Sequence, residues 1–362
     1  MRVLQVINTL ALAGAETLVK DIVLRLREHG IETDVYVLRR LDSPLEEDLK
    51  RAGVSLFGST NLSVYSPKQV WSLAKHLSSH RYDLLHVHLF PAQLWAVIAA
   101  KFLNHRINLV TTEHSTHNRR RRWYFRHLDQ QMYCQYSQIA CISEGTKRAL
   151  LNWLPTLAGK THIVQNGVDV ARFAQSESFN KTALLGIQPE APLVLCVGRL
   201  EEPKDHATLL NAISRLEGVH LALVGDGPLR TELEALAAHL SITQQVHFLG
   251  RRTDIPRILK TADIYVQPSR WEGFGIATLE AMAAGLPIVA SDVPGLADLV
   301  GNAGMLFPAG NVDTLADCLR LLLSRPDVRS ELAQRAINRA SEYDIGSTVE
   351  RYLDLYKRVL AI

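Results

Sequence analysis

Short apolar runs alternate with longer amphipathic stretches along almost the whole chain, and this alternation limits the fold more than any single motif does. Val3-Leu-Gln-Val-Ile7 reads as a buried first strand. After a loop around Gly14, the residues Leu18, Val19, Ile22, Val23 and Leu26 recur at helical spacing, with Gly30 as the stop. Further strands are predicted at 33–38, 54–57, 83–87, 107–112 and 138–142, with helical patterns at 67–79, 92–103 and 143–151. A second unit restarts at Pro192-Leu-Val-Leu-Cys-Val-Gly198 and continues with strands at 219–224, 245–249, 263–267 and 287–290. The halves share architecture, not residues, and the join falls in 166–190. Right-handed crossovers then give an α/β fold of two Rossmann-like domains, whose strand C-termini can face each other across a ligand-binding cleft.

Composition agrees with two globular domains. The 362 residues are 47% apolar and 21% charged, which excludes long disorder, a coiled-coil rod and a disulfide-stapled scaffold. The net charge of +3 is too small to imply nucleic acid. Its distribution is uneven, however. Residues 1–180 hold 22 Lys and Arg against 15 Asp and Glu (+7), and residues 181–362 hold 18 against 22 (−4). The basic half points to an anionic surface or ligand. Cys134, Cys141, Cys196 and Cys318 are scattered without metal spacing and read as small buried hydrophobes of a reducing compartment. The start lacks the pattern of a signal peptide, and no apolar window is long enough to span a bilayer. A cytoplasmic protein is expected.

The richest string is Pro268-Ser-Arg-Trp-Glu272-Gly-Phe-Gly275-Ile-Ala-Thr-Leu-Glu280-Ala-Met-Ala-Ala-Gly285-Leu-Pro287. A strand runs into a glycine-containing loop and a helix begins near Gly275. Free N–H groups and the positive end of the helix dipole suit a diphosphate there. Gly273 and Gly275 permit close backbone approach. Glu272 in the loop and Glu280 about a turn and a half into the helix address different parts of one ligand. Taken singly, they read as a helix cap and a surface residue.

A second string, Gly198-Arg199-Leu200-Glu-Glu-Pro203-Lys204-Asp205-His206, occupies the first βα loop of the second unit, where doubly wound folds hold anions. Arg199 and Lys204 suit a diphosphate leaving group; a solvated loop pairing them with Glu201, Glu202 and Asp205 is the plainer reading. His86 and His88 share a strand face without an evident third metal ligand, and read as polar residues lining a cleft. Arg119-Arg120-Arg121-Arg122-Trp123-Tyr124-Phe125-Arg126-His127 interleaves cations with aromatics. It suits an anionic membrane or a phosphorylated acceptor, and equally a solvated helix start with inward aromatics.

Together these strings resemble glycosyltransferase family four, the retaining, nucleotide-sugar-dependent enzymes of GT-B fold. The resemblance extends to Gly14-Ala15-Glu16, Asp83-Leu-Leu-His86-Val-His88, Thr112-Glu113-His114-Ser115, Asn166-Gly-Val-Asp169, Val224-Gly225-Asp226-Gly227-Pro228 and the tail Tyr343 to Leu360. It implies an acceptor-binding domain at 1–165, rejoined by a helix at 345–362, and a nucleotide-sugar-binding domain at 166–344. By the same resemblance, Gly14, Arg199 and Lys204 hold the donor phosphates, and the backbone at Phe274, Gly275 and Ile276 approaches the diphosphate or sugar. Glu280 holds the ribose, Glu272 reaches the transferred sugar, and His114 lies near the reacting centre. Two departures stand out. Ala13-Gly14 replaces a double glycine, and Lys204-Asp205 replaces a Lys-Gly step.

The implied activity is transfer of a sugar from a nucleotide-sugar, a UDP-sugar, to a glycan or lipid-linked saccharide. The chain contains no Asp-x-Asp, so no metal or other cofactor is expected. Partners would be the donor, the acceptor and an anionic membrane surface touched by Arg119, Arg120, Arg121, Arg122 and Trp123, with no nucleic acid. The rivals are a sugar-nucleotide epimerase of the same fold and a non-catalytic two-lobed binding protein.

Overall fold

The structure, a computed structural model, describes residues 1–116 and 120–361. It divides into two compact units, Met1–Gly167 with Ile345–Ile362, and Val168–Asp344. Among the described residues each unit is built on one parallel sheet.

In the first unit the strands are β1 (Arg2–Ile7), β2 (Glu32–Arg39), β3 (Leu56–Ser59), β4 (Leu84–His88), β5 (Asn108–Glu113), β6 (Gln138–Cys141) and β7 (Thr161–Ile163). They lie in the order β3-β2-β1-β4-β5-β6-β7, so the chain reverses its winding between β1 and β4. Helices cover both faces, which is why β1 and β4 are buried almost throughout. The helix Gly14–Glu28 turns Leu18, Val19, Ile22, Val23 and Leu26 into this core, each contributing about 1.5–3 kcal/mol of transfer free energy. The helix Ile345–Leu360 returns to this unit, packs on Gly14–Glu28 and β5, and buries Tyr352 and Tyr356 completely.

The second unit repeats the plan with β8 (Leu193–Val197), β9 (His220–Val224), β10 (Val246–Gly250), β11 (Ile264–Gln267), β12 (Ile288–Ser291) and β13 (Met305–Phe307). Their order is β10-β9-β8-β11-β12-β13, with the reversal between β8 and β11. Ligands of doubly wound sheets bind beyond the strand C-termini at such reversals.

The predicted strand 54–57 forms two residues later, because buried Val54 precedes the ladder while Gly58 joins it. The edge strands β7 and β13 were not predicted. Neither was the helix Pro44–Arg51, which starts on a Ser43 cap that accepts from the Glu46 N–H. Of the cysteines, Cys134 is exposed, contrary to expectation; Cys141, Cys196 and Cys318 are buried.

Candidate active site

In the second unit, β8 runs out at Val197 into the Arg199–Lys204 loop, and β11 runs out at Gln267 into the loop ending at Gly275. The two loops are joined side chain to side chain. Lys204 Nζ lies 2.5 Å from Glu272 Oε2. Ser269 Oγ donates to the same oxygen at 3.2 Å and accepts from Gln267 Nε2 at 2.9 Å. The Arg270 N–H donates to the Pro203 carbonyl at 2.8 Å, and its Nε lies 3.2 Å from Asp205 Oδ2. Lys204 is thus paired with the other motif rather than with its own loop. Arg199 does follow the plainer expectation, as Nη2 lies 2.6 Å from Glu201 and the side chain is largely exposed.

The Lys204-Asp205 step also has a local explanation. Asp205 sits at φ +47°, ψ +44°, a left-handed conformation that Asp tolerates better than most residues. Its carboxylate then accepts from the Thr208 hydroxyl at 2.9 Å as well as pairing with Arg270. Across from it, Gly275 caps the helix Ile276–Ala283 at φ +93°, where a Cβ would lie 2.7 Å from Leu296 Cδ2. Ile276 opens that helix, Glu280 follows on it half-buried, and Phe274 is buried edge-on against Tyr343 at 5.6 Å. Arg199, Lys204, Glu272, Phe274, Gly275, Ile276 and Glu280 therefore all lie around one sheet reversal.

In the first unit a cavity of about 240 Å³ opens beyond the ends of β1, β4 and β5, lined among others by Asn8, Phe90, Gln93, Glu113, His114 and Arg120. Gly14 opens its helix nearby in sequence, after an extended Ala13. His114 lines the cavity, but His86 and His88 do not line a cleft. Both are fully buried beneath, because their ring nitrogens are taken up in hydrogen bonds. His88 Nδ1 lies 3.1 Å from His114 Nε2, and His88 Nε2 lies 2.8 Å from Gln5 Oε1. Gln5 Nε2 donates to the Tyr356 hydroxyl at 3.2 Å, which lies 2.5 Å from His86 Nδ1. His86 Nε2 lies 2.7 Å from Thr112 Oγ1, which reaches the Tyr352 hydroxyl at 3.0 Å. Burial lowers His114 to about 4 and His86 to about 3, and holds His88 well below its ordinary value. Sequence reasoning missed Gln5, Tyr352 and Tyr356 altogether.

The arginine-rich segment needs correction. Arg119 lies outside the described residues. Arg120 turns inward, its guanidinium 3.9 Å over the Phe90 ring and paired with buried Asp129, which also accepts from Trp153 Nε1 at 3.0 Å. Arg121 Nη1 donates to the Thr116 carbonyl at 2.7 Å. Burial pushes the Glu113 carboxyl above its ordinary value, and the Tyr133 hydroxyl and both cations offset part of that rise. A buried carboxylate needs such partners, and that need draws the arginines off the surface. What remains exposed is Arg122, Trp123, Tyr124, Arg126 and His127, with Trp123 at 84%. The aromatics of the 3-10 turn Trp123–Phe125 do not all pack inward.

Residues 12–172 match the family model described as Glycosyltransferase Family 4, and residues 179–342 match that of the glycosyl transferases group 1. The chain belongs to the group 1 glycosyltransferases. It is therefore a glycosyltransferase enzyme, built as two Rossmann-like domains of GT-B type. This glycosyltransferase is 26% identical over 344 residues to the UDP-Gal:α-D-GlcNAc-diphosphoundecaprenol α-1,3-galactosyltransferase of Escherichia coli, covering 89% of this chain and 88% of that one. It is 30% identical over 243 residues to a D-inositol 3-phosphate glycosyltransferase of Mycolicibacterium gilvum, covering 64% and 54%. Its fold matches that of the Anabaena protein HepE, solved in complex with UDP and glucose, at TM-score 0.87 and 22% identity, over 98% of this chain and 99% of that one. No helix among the described residues is long and apolar enough to cross a membrane.

Proposed function

We propose that this glycosyltransferase moves a sugar from a UDP-sugar to a lipid-linked saccharide, with retention of anomeric configuration, without a metal, and at the cytoplasmic face of an anionic membrane. The observation that carries the reading is the Lys204–Glu272 pair at the second unit's sheet reversal. There a cation fit for a diphosphate and a carboxylate fit for sugar hydroxyls sit beside the start of the helix Ile276–Ala283. The names of the Escherichia coli and Anabaena relatives support UDP as the nucleotide, and the former supports a lipid-linked acceptor.

In this reading Arg199, Lys204 and the helix N-terminus neutralise the departing diphosphate, with Gly14 closing on the phosphates and the amides of Phe274, Gly275 and Ile276 beside it. Glu280 holds the ribose, Glu272 a hydroxyl of the transferred sugar, and His114 orients the acceptor. The bond from C1 to the diphosphate oxygen breaks, and the acceptor oxygen bonds C1 on the same face. The acceptor's proton passes to the leaving phosphate. Turnover should accordingly survive EDTA. Complete loss on chelation, restored by Mn²⁺ or Mg²⁺, overturns the metal-free account.

Membrane contact falls to the exposed remainder of the basic segment. Trp123 and Tyr124 suit the bilayer interface, and Arg122 and Arg126 each add about 1 kcal/mol near an anionic surface, an attraction weakened by salt. Replacing these four residues by Ser should abolish co-sedimentation with phosphatidylglycerol vesicles at low salt while UDP binding persists. A wild-type protein that stays in the supernatant would instead favour a phosphorylated soluble acceptor.

A further inference from the structure

Beneath the His114 ring lies a buried chain of polar groups whose donors and acceptors can be assigned one after another. The Gln5 carbonyl oxygen can only accept, so His88 Nε2, 2.8 Å away, carries a proton. A neutral imidazole has one such proton, which leaves His88 Nδ1 as an acceptor. His114 Nε2, 3.1 Å from it, must then donate. His114 is left with Nδ1 as its acceptor nitrogen. The other end of the Gln5 amide donates to the Tyr356 hydroxyl at 3.2 Å, and the hydroxyl can accept there while its own proton goes to another partner. Tyr356 in turn sits 2.5 Å from His86 Nδ1, so it has a second partner that keeps its hydroxyl in place. If the amide turned over, every donor in the series would become an acceptor, and His114 would present an N–H at Nδ1 instead.

We propose that Gln5, His88 and Tyr356 are positioning residues that hold His114 as its Nε2–H tautomer, so that the ring offers a lone pair at Nδ1 and accepts a hydrogen bond from a substrate hydroxyl. This rests on the placement of His114 beside the acceptor given above, and it narrows that role. A ring held in this way cannot donate from Nδ1 to a phosphate oxygen, so its ligand there must be a hydrogen-bond donor, as a sugar hydroxyl is. The helix Ile345–Leu360 takes part in the site through Tyr356, which touches neither substrate nor His114. All three rings in the series are depressed by burial far enough to be neutral at pH 7, which keeps the count of one proton per ring.

The test is long-range ¹H–¹⁵N correlation NMR on histidine-labelled protein at pH 7, which reads each ring's tautomer directly. In the wild type His114 is expected as Nε2–H, with Nδ1 resonating as an unprotonated nitrogen. Gln5→Leu and Tyr356→Phe should each replace that single tautomer by a mixture. In both variants kcat for transfer should fall while affinity for UDP stays unchanged, because neither Gln5 nor Tyr356 is among the residues assigned to the nucleotide. Tyr36→Phe, which removes another buried hydroxyl of the same unit, bonded to Ser72 at 2.8 Å, should alter neither. A wild-type His114 found as Nδ1–H, or an unaltered tautomer in Gln5→Leu, overturns the inference. Should His114→Ala transfer sugar at the wild-type rate, the ring's part in the reaction fails instead, and the tautomer result stands apart from it.

Discussion

Lys204→Ala is expected to lower kcat for sugar transfer by about 10²–10³-fold, the usual cost of removing one preorganised group from developing negative charge. The pair with Glu272 at 2.5 Å makes the effect larger than loss of a cation alone. With Lys204 gone, Glu272 keeps the Ser269 hydroxyl among the described residues, and its carboxylate stands unneutralised at the proposed diphosphate site. Donor binding should weaken together with kcat. Glu272→Ala should behave differently, lowering kcat while leaving UDP affinity intact, since its assigned partner is the sugar. Glu280→Ala should chiefly weaken UDP. A Lys204→Ala enzyme turning over at the wild-type rate would remove Lys204 from the leaving-group site, and unchanged UDP affinity in Glu280→Ala would remove the ribose assignment.

Gly225→Ala should destabilise the second unit by about 3–5 kcal/mol, although residue 225 has no assigned part in chemistry. Gly225 follows β9 at φ +135°, and a Cβ there would lie 1.9 Å from the Gly198 carbonyl oxygen. Both neighbours at that contact are main chain. Gly198 N–H donates to the Val224 carbonyl at 2.9 Å and Leu200 N–H to the Asp226 carbonyl at 3.2 Å, so the loop bearing Arg199 is laced to the turn after β9. An alanine must push these segments apart. For a unit of this length the loss corresponds to roughly 6–20 °C in Tm, readable by circular dichroism. An unchanged Tm would mean that the two loops can separate freely.

Strands at the centre of each sheet were legible because parallel strands covered on both faces leave unbroken apolar runs, as in Leu193–Val197. The edge strands Thr161–Ile163 and Met305–Phe307 were not, since three residues half-covered by neighbours carry no period. The loops of the second unit announced themselves through glycines and charges. Their joining by Lys204 and Glu272, 68 residues apart, is a tertiary fact without local trace. Arg120 and Arg121 look identical to Arg122 in the sequence. Only the buried carboxylates of Asp129 and Glu113 separate them. Gln5 was a signal left unread. A glutamine inside Val3-Leu-Gln-Val-Ile7 implies a polar partner within the core, yet nothing indicates that the partner is Tyr356, 351 residues further on.

The return of Ile345–Leu360 to the first unit orders events on the ribosome. Translation proceeds from the N-terminus, so the residues of Val168–Asp344 leave the ribosome before Tyr352 and Tyr356 do. The second lobe can therefore close while the first still exposes the apolar seat of its missing helix. A chain that has emerged as far as Asp344 would hold a finished second lobe while the first still shows an open, sticky seat. Chaperone occupancy on nascent chains should accordingly persist on the N-terminal lobe until the last helix emerges, long after that lobe's own strands have left the exit tunnel.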